Sequence, residues 1–258
     1  MHNRKLTDYL ITKTAELRRE IKAACTHAGE ESWLFVPELQ QSKVCLVAHI
    51  DTVHPEGWDA KRLVQEDGVI TSPQGLGADD RAGVWAALEM FHSLPPELQP
   101  YVLLTDKEEV GCIGAREAAE LFGDILRSPG ITYFIEMDRK NSADAVFYNN
   151  EPSEFRQYVK SFGFEEAPGS VSDISYLGPA AGKCAVNLST GYYNAHRLNE
   201  FLRVVELEAT VAKVRLMLAE NTRNPVIWKN PAAQTIPKRE RKLRTHQYVA
   251  GVKSREEL

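Results

Sequence analysis

Between residues 6 and 27, apolar side chains recur at helical spacing: Leu6, Tyr9, Leu10, Leu17, Ile21 and Ala24. With the start signal Thr7-Asp8, this predicts one amphipathic helix. Trp-Leu-Phe-Val at 33–36 reads as a strand, and Val44 to Ala48, apolar throughout, as a central strand covered on both faces. Residues 62–71 read as a hairpin turning at Asp67-Gly68. A helix is predicted from Asp79 to Ser93, stopped by Pro95-Pro96, then a strand at 101–105 and a helix at 113–122. A strand follows at 131–137, with 143–148 as its expected partner. A short helix at 153–161, a strand at 184–188 and a long closing helix at 195–219 complete the pattern. Strands and helices alternate, which predicts an α/β three-layer sandwich around a mixed, largely parallel central sheet.

Composition narrows this picture. At 258 residues with 43% hydrophobic side chains, the chain can bury a sizeable core. The net charge of −5 is unevenly spread: residues 221–258 hold nine Lys/Arg against three Asp/Glu, so 1–220 carry −11. An acidic body argues against nucleic acid as a partner. The division expected is a folded body over 1–220 and a basic extension over 221–258, with prolines at 225, 231 and 237 and the run KRERKLR. Cys25, Cys45, Cys112 and Cys184 form no CxxC pair, so reduced thiols in a cytoplasmic protein are expected. The first twenty residues lack the apolar core of a signal peptide, and no segment reaches the ~18 apolar residues of a membrane span.

Ligand-type residues then stand out at the downstream ends of strands, where loops can converge. They are His49 and Asp51 after 44–48, Asp79-Asp80 in the 75–80 loop, Glu108-Glu109 after 101–105, Asp138 after 131–137, and His196 after 184–188. Each has an ordinary reading. His49 and His196 could be plain core or helix-start histidines. Asp79-Asp80 could cap a helix, Glu108-Glu109 could be solvated charge, and Asp138-Arg139 a surface ion pair. Five ordinary readings, all on one edge of one sheet, are a poor joint account.

The motifs AHIDTV (48–53), GADDRAG (77–83), EEVGCIGA (108–115), IEMD (135–138) and NLSTGYYNAH (187–196) resemble the co-catalytic dizinc peptidases. That group includes peptidase T and the single-domain bacterial aminopeptidases, and the late segment is especially similar to peptidase T. The resemblance spans about residues 1–220; Arg81 stands where lysine is usual. It implies two Zn2+ ions, with Co2+ or Mn2+ as substitutes. His49, Asp79 and Asp138 would hold one ion, and Asp79, Glu109 and His196 the other. Asp51 would orient His49, and Glu108 would be the general base for a water activated between the ions. A cis peptide between Asp79 and Asp80 is also implied.

Only 58 positions separate Asp138 from His196, too few for the lid domain of ~100 residues found in many relatives. A strand, a short helix and a loop are expected there. The oxyanion donor would then come from Tyr192, Tyr193, Asn194 or Arg139, and substrate ends from loops 139–152 and 169–178. Gly169-Ser-Val-Ser-Asp173 also resembles a Ser-Asp loop of single-domain aminopeptidases, or is an ordinary Gly/Ser turn. The expected function is metal-dependent hydrolysis of short peptides by an aminopeptidase or di/tripeptidase, with no membrane partner and no oligomeric state assigned. The alternatives are an amidase or deacylase of N-acyl amino acids, a non-catalytic metal-binding protein, and a function residing in the basic tail.

Overall fold

The computed structural model describes residues 4–54 and 62–233; the basic run at 238–244 and Pro237 lie outside the described residues. An eight-stranded sheet has the order β1 (His27–Ala28), β2 (Ser32–Phe35), β6 (Tyr101–Thr105), β3 (Val44–His49), β7 (Tyr133–Arg139), β10 (Ala185–Ser189), β8 (Asp144–Val146) and β9 (Glu165–Glu166). Its centre, β6-β3-β7-β10, is parallel; β1, β2 and β8 pair antiparallel with their inner neighbours.

Alternation along β3 explains the layers. Val44, Leu46 and Ala48 join the apolar core beneath α1 (Leu6–Ile11), α2 (Thr14–Ala24), α3 (Ala78–Ser93), α6 (Ser153–Lys160) and α8 (Val204–Arg223). Cys45 and Val47 join the opposite core, under α4 (Ile113–Leu121), α5 (Gly123–Arg127) and α7 (Asp173–Ala181). This is the expected three-layer sandwich. A large aliphatic side chain buried in this way contributes about 1.5–3 kcal/mol, so the strand that ends in His49 is anchored from both sides.

A second sheet, in the order β11 (Tyr192–Tyr193), β12 (Phe201–Arg203), β5 (Val69–Thr71) and β4 (Val64–Glu66), is antiparallel throughout. It contains the expected hairpin, with Asp67 and Gly68 both at positive φ. Its remaining half was not expected.

Several expectations are corrected. The helix over 6–27 is two helices, because buried Arg81 donates to the Tyr9 and Thr12 carbonyls (3.1 and 3.0 Å) and to Thr14 Oγ1 (2.7 Å) at the break. A lysine has no fork with which to bridge three acceptors. The first helix is capped at Lys5 rather than at Thr7-Asp8, with Asp8 returning to the Lys5 N–H at 2.9 Å. The segment at 143–148 does not pair with β7, since β10 lies between them. The closing helix begins at Val204, not 195, because 192–203 is spent on β11, a loop and β12.

The interval between Asp138 and His196 holds more than a strand, a helix and a loop: β8, α6, β9, α7, β10 and β11 all fall within it. Helix α7 escapes the pattern because Gly178-Pro179 sits inside it, although Ser172 and Ser175 form its capping box. These pieces add to the two existing cores, through Phe155 and Val159 on one side and Ile174 and Leu177 on the other, and build no lid. Residue 220 lies inside α8, and Trp228 beyond it packs on Phe155 and Tyr158. No helix among the described residues is long and apolar enough to cross a membrane.

Candidate metal centre

Strand β3 ends in His49, which is buried and level with Thr105 of the neighbouring β6. Its Nδ1 lies 3.3 Å from Asp51 Oδ1 and 3.0 Å from the Asp51 carbonyl, so Nε2 is turned toward the edge of the sheet. Around Nε2 stand Asp79 Oδ1 at 3.3 Å, Asp138 Oδ1 at 3.5 Å and Glu108 Oε2 at 4.0 Å. The other Asp79 oxygen, Oδ2, is 3.1 Å from His196 Nε2, which in turn is 3.0 Å from Glu109 Oε1. Asp79 therefore spans two histidines that come from different sheets. The structure brings His49, Asp51, Asp79, Glu108, Glu109, Asp138 and His196 together at one point.

Local backbone explains the placement. Asp51 Oδ1 and Oδ2 accept the N–H groups of Glu108 and Glu109, both at 3.1 Å, and so set the register of that pair as well as the His49 ring. The Asp79-Asp80 peptide is cis, as the resemblance implies. Asp80, which sequence reasoning left without a role, is fully buried; it accepts the His49 N–H at 3.2 Å and the Gly83 N–H at 3.0 Å. His49, Asp80 and Asp138 also cluster closely enough to hold an ion. Asp80's two oxygens are occupied by these backbone donors, which leaves Asp79 as the carboxylate facing both histidines. Gly83 is required, because a Cβ there would sit 2.4 Å from both Asp80 Oδ1 and the Met137 carbonyl. Asp138 is held by Asn187, which accepts its N–H at 2.9 Å and donates to its carbonyl at 3.0 Å, and Tyr192 donates to Asp138 Oδ1 at 3.1 Å.

The site is short of positive charge. Burial, and then the neighbouring carboxylates, push Asp80, Glu136 and Asp138 far above the usual range, and Glu108 and Glu109 upward as well. Burial opposes protonation of His49, yet Asp138, Asp51 and Asp79 raise it well above the ordinary imidazole value. The bond to Asp79 lifts His196 to about 9. Two buried atoms aimed into the cluster, His49 Nε2 and Glu109 Oε1, have no hydrogen-bond partner despite their near neighbours. Nitrogen and carboxylate donors without thiolate, a surplus of negative charge and unpartnered ligand atoms are what divalent zinc requires of a site open to substrate. The residues fit the implied metals.

Other expectations fare differently. Tyr193 bonds Glu206 (2.7 Å), Asn194 bonds the Asn199 carbonyl (3.3 Å) and Arg139 pairs with Asp144 (3.2 Å), so these three are turned to structural partners. Of the four proposed oxyanion donors, Tyr192 is the one placed against a carboxylate of the cluster, that of Asp138. Within 169–178, the portion from Asp173 is helix α7, with Ile174 and Leu177 buried. The Ser-Asp pair has a defined place behind the centre: Ser172 donates to buried Glu136, and Thr105 donates to Asp173, whose carboxyl burial raises to about 7. Sequence reasoning missed Glu200, buried and bonded to the turn before Asp79.

The sequence pattern of peptidase family M28 matches residues 34–176, a span that holds His49, Asp51, Asp79, Glu108, Glu109 and Asp138 but not His196. A search among curated proteins finds no match. Solved structures share the fold at low identity. A tripeptidase of Staphylococcus aureus superposes with a TM-score of 0.61 at 15% identity, over 84% of this chain and 96% of the other. An aminopeptidase of the archaeon Desulfurococcus kamchatkensis gives 0.59 at 11%, over 83% and 93%. The TET1 peptidase of Pyrococcus horikoshii gives 0.55 at 16%, over 79% and 92%.

Proposed function

The chain belongs to peptidase family M28, and on that premise we propose that it hydrolyses short peptides from one end, as an aminopeptidase or di/tripeptidase, with two divalent metal ions held by its own side chains. The observation that carries the reading is Asp79, whose two oxygens each face a different histidine at 3.3 and 3.1 Å. His49, Asp79 and Asp138 would hold one ion, and Asp79, Glu109 and His196 the other. Zinc fits the donor set best, with cobalt or manganese as substitutes. When bound, such a pair polarises the scissile carbonyl and acidifies water.

The chain's own residues do the rest. Asp51 keeps His49 Nε2 turned toward the substrate edge and holds Glu108 and Glu109 in register through their backbone N–H groups. Glu108 stands beside the cluster, 4.0 Å from His49, partly exposed and raised by burial. It takes the proton of the attacking water and delivers it to the leaving amine. The lack of a lid among the described residues supports short substrates, because an open edge offers little surface to grip a long one. We place the protein in the cytoplasm, in keeping with its four free thiols.

The test is a panel of free, N-blocked and C-blocked dipeptides presented to the zinc-loaded and cobalt-loaded protein. Cleavage of free and C-blocked peptides, with loss on N-blocking, is the expected result. Hydrolysis confined to N-acyl amino acids would assign a deacylase instead. No hydrolysis of any member, with two metals bound, would leave a metal-binding protein without this activity.

A further inference from the structure

We propose that Glu200 is a positioning residue that locks the loops carrying Asp79 and His196 to one another, so that the two metal positions form one unit. The inference rests on the reading of these two residues as metal ligands.

Glu200 is 1% exposed and lies four residues beyond His196, at the end of the loop between β11 and β12. Its Oε1 accepts the N–H of Asp79 at 3.0 Å. Its Oε2 accepts the N–H of Gly77 at 2.6 Å and lies 3.1 Å from His54 Nε2. One carboxylate thus joins three segments: the loop that follows His49 and Asp51, the turn that delivers Asp79, and the loop that delivers His196. Each oxygen of this buried side chain accepts a backbone N–H, so the bonds fix both loops at once.

The turn between these anchors has no slack. Gly75 and Gly77 both have left-handed backbones, with φ of +83° and +64°. A Cβ at Gly75 would fall 2.3 Å from His54 Nδ1, and one at Gly77 would fall 2.9 Å from Thr52 Cγ2. His54 is therefore fixed by Gly75 on one side and by Glu200 on the other. His196, by contrast, sits in an exposed loop, with its own φ at +65° and that of Asn194 at +56°. Apart from the His196–Asp79 pair itself, 3.1 Å apart, the bonds from Glu200 tie this loop to the turn that bears Asp79.

The pattern demands a carboxylate. Both oxygens accept, and a glutamine in the same place would turn its NH2 toward either the Asp79 N–H or the Gly77 N–H. Glu200→Gln keeps the volume and breaks one side of the lock. Asp79 faces both histidines, so its displacement reaches both metal positions.

The experiment uses the full chain, wild type and Glu200→Gln, with folding followed by circular dichroism. Zinc uptake is titrated against a chromophoric chelator, and the cobalt-loaded forms are compared by visible absorption. Glu200→Gln is expected to bind zinc about 10–100-fold more weakly, the usual cost of removing such a supporting partner, and to show a changed cobalt spectrum. Saturating zinc is expected to restore most of its peptidase activity, which it cannot do for Glu108→Gln. If Glu200→Gln does not fold, His54→Ala decides: a weaker zinc affinity and a shifted cobalt spectrum support the lock, and wild-type values for both overturn it. Two ions bound by Glu200→Gln with wild-type affinity and spectrum also overturn it. A wild type that takes up no zinc sinks the underlying metal centre instead, so the two failures can be told apart.

Discussion

The two sides of the centre are built by different means. On one side, His49 and Asp138 project from parallel strands in the middle of the large sheet; His49 is fully buried and Asp138's backbone is pinned by Asn187. On the other, His196 comes from a loop of the small antiparallel sheet, and its side chain is 53% exposed. The first side is rigid because a sheet packed on both faces cannot shift one strand end alone. The second is rigid only as far as specific bonds make it so. Asp79 joins the two, and the adjacent glutamates divide between them, Glu108 near His49 and Glu109 near His196.

That division gives the largest expected effect. Glu108→Gln preserves shape and removes the base. Turnover is expected to fall about 10²–10⁴-fold, about 2.7–5.4 kcal/mol of barrier, with both metals retained. Glu109→Gln is expected to weaken the ion on the His196 side. Steady-state kinetics paired with metal analysis separates them. Loss of metal in Glu108→Gln alongside full activity in Glu109→Gln would reverse the assignment of the pair.

The next effect concerns stability. In metal-free protein, His49→Ala empties a buried place surrounded by carboxylates and is expected to cost about 2–4 kcal/mol. His196→Ala removes an exposed side chain and is expected to stay within about 0.5 kcal/mol of wild type. Both would lose zinc. Denaturant unfolding of the two apo variants makes the comparison, and equal destabilisation would show that the loop side is as integral to the fold as the strand side.

The same contrast governs what the sequence revealed. The strand side is legible because the apolar run Val44–Ala48 and the apolar-rich stretch Ile131–Met137 announce buried strands, and ligand-type residues follow directly. For Tyr101–Thr105 the predicted and observed strands coincide. The loop side was partly hidden. Motif resemblance identifies His196, yet the pattern puts it at the head of a helix, because two-residue and three-residue strands such as β11 and β12 are too short to show a period. Gly191 and Asn194, both at positive φ, were the local signs of a turn there. Helix α7 was masked by its internal Pro179, and the break at 12–13 depends on Arg81, a partner almost seventy residues away. Glu200 was invisible for the same reason: a lone buried carboxylate announces itself only through donors that lie more than a hundred positions distant.

The smallest predicted effect tests another side chain that ties the small sheet to the strand side. Tyr192, at the start of β11, is 3% exposed and donates its hydroxyl to Asp138 Oδ1 at 3.1 Å. Tyr192→Phe deletes that bond without opening a cavity. Asp138's main chain stays fixed, because both bonds to Asn187 are independent of the tyrosine. The change therefore reaches only the orientation of the Asp138 carboxylate. Zinc on the His49 side is expected to bind about tenfold more weakly, the lower end of the effect of a supporting partner. With saturating zinc, turnover is expected to stay near wild type if Tyr192 only orients Asp138. A loss of kcat that excess zinc does not restore would mean that the hydroxyl also meets the substrate, and would restore Tyr192 to the role of oxyanion donor.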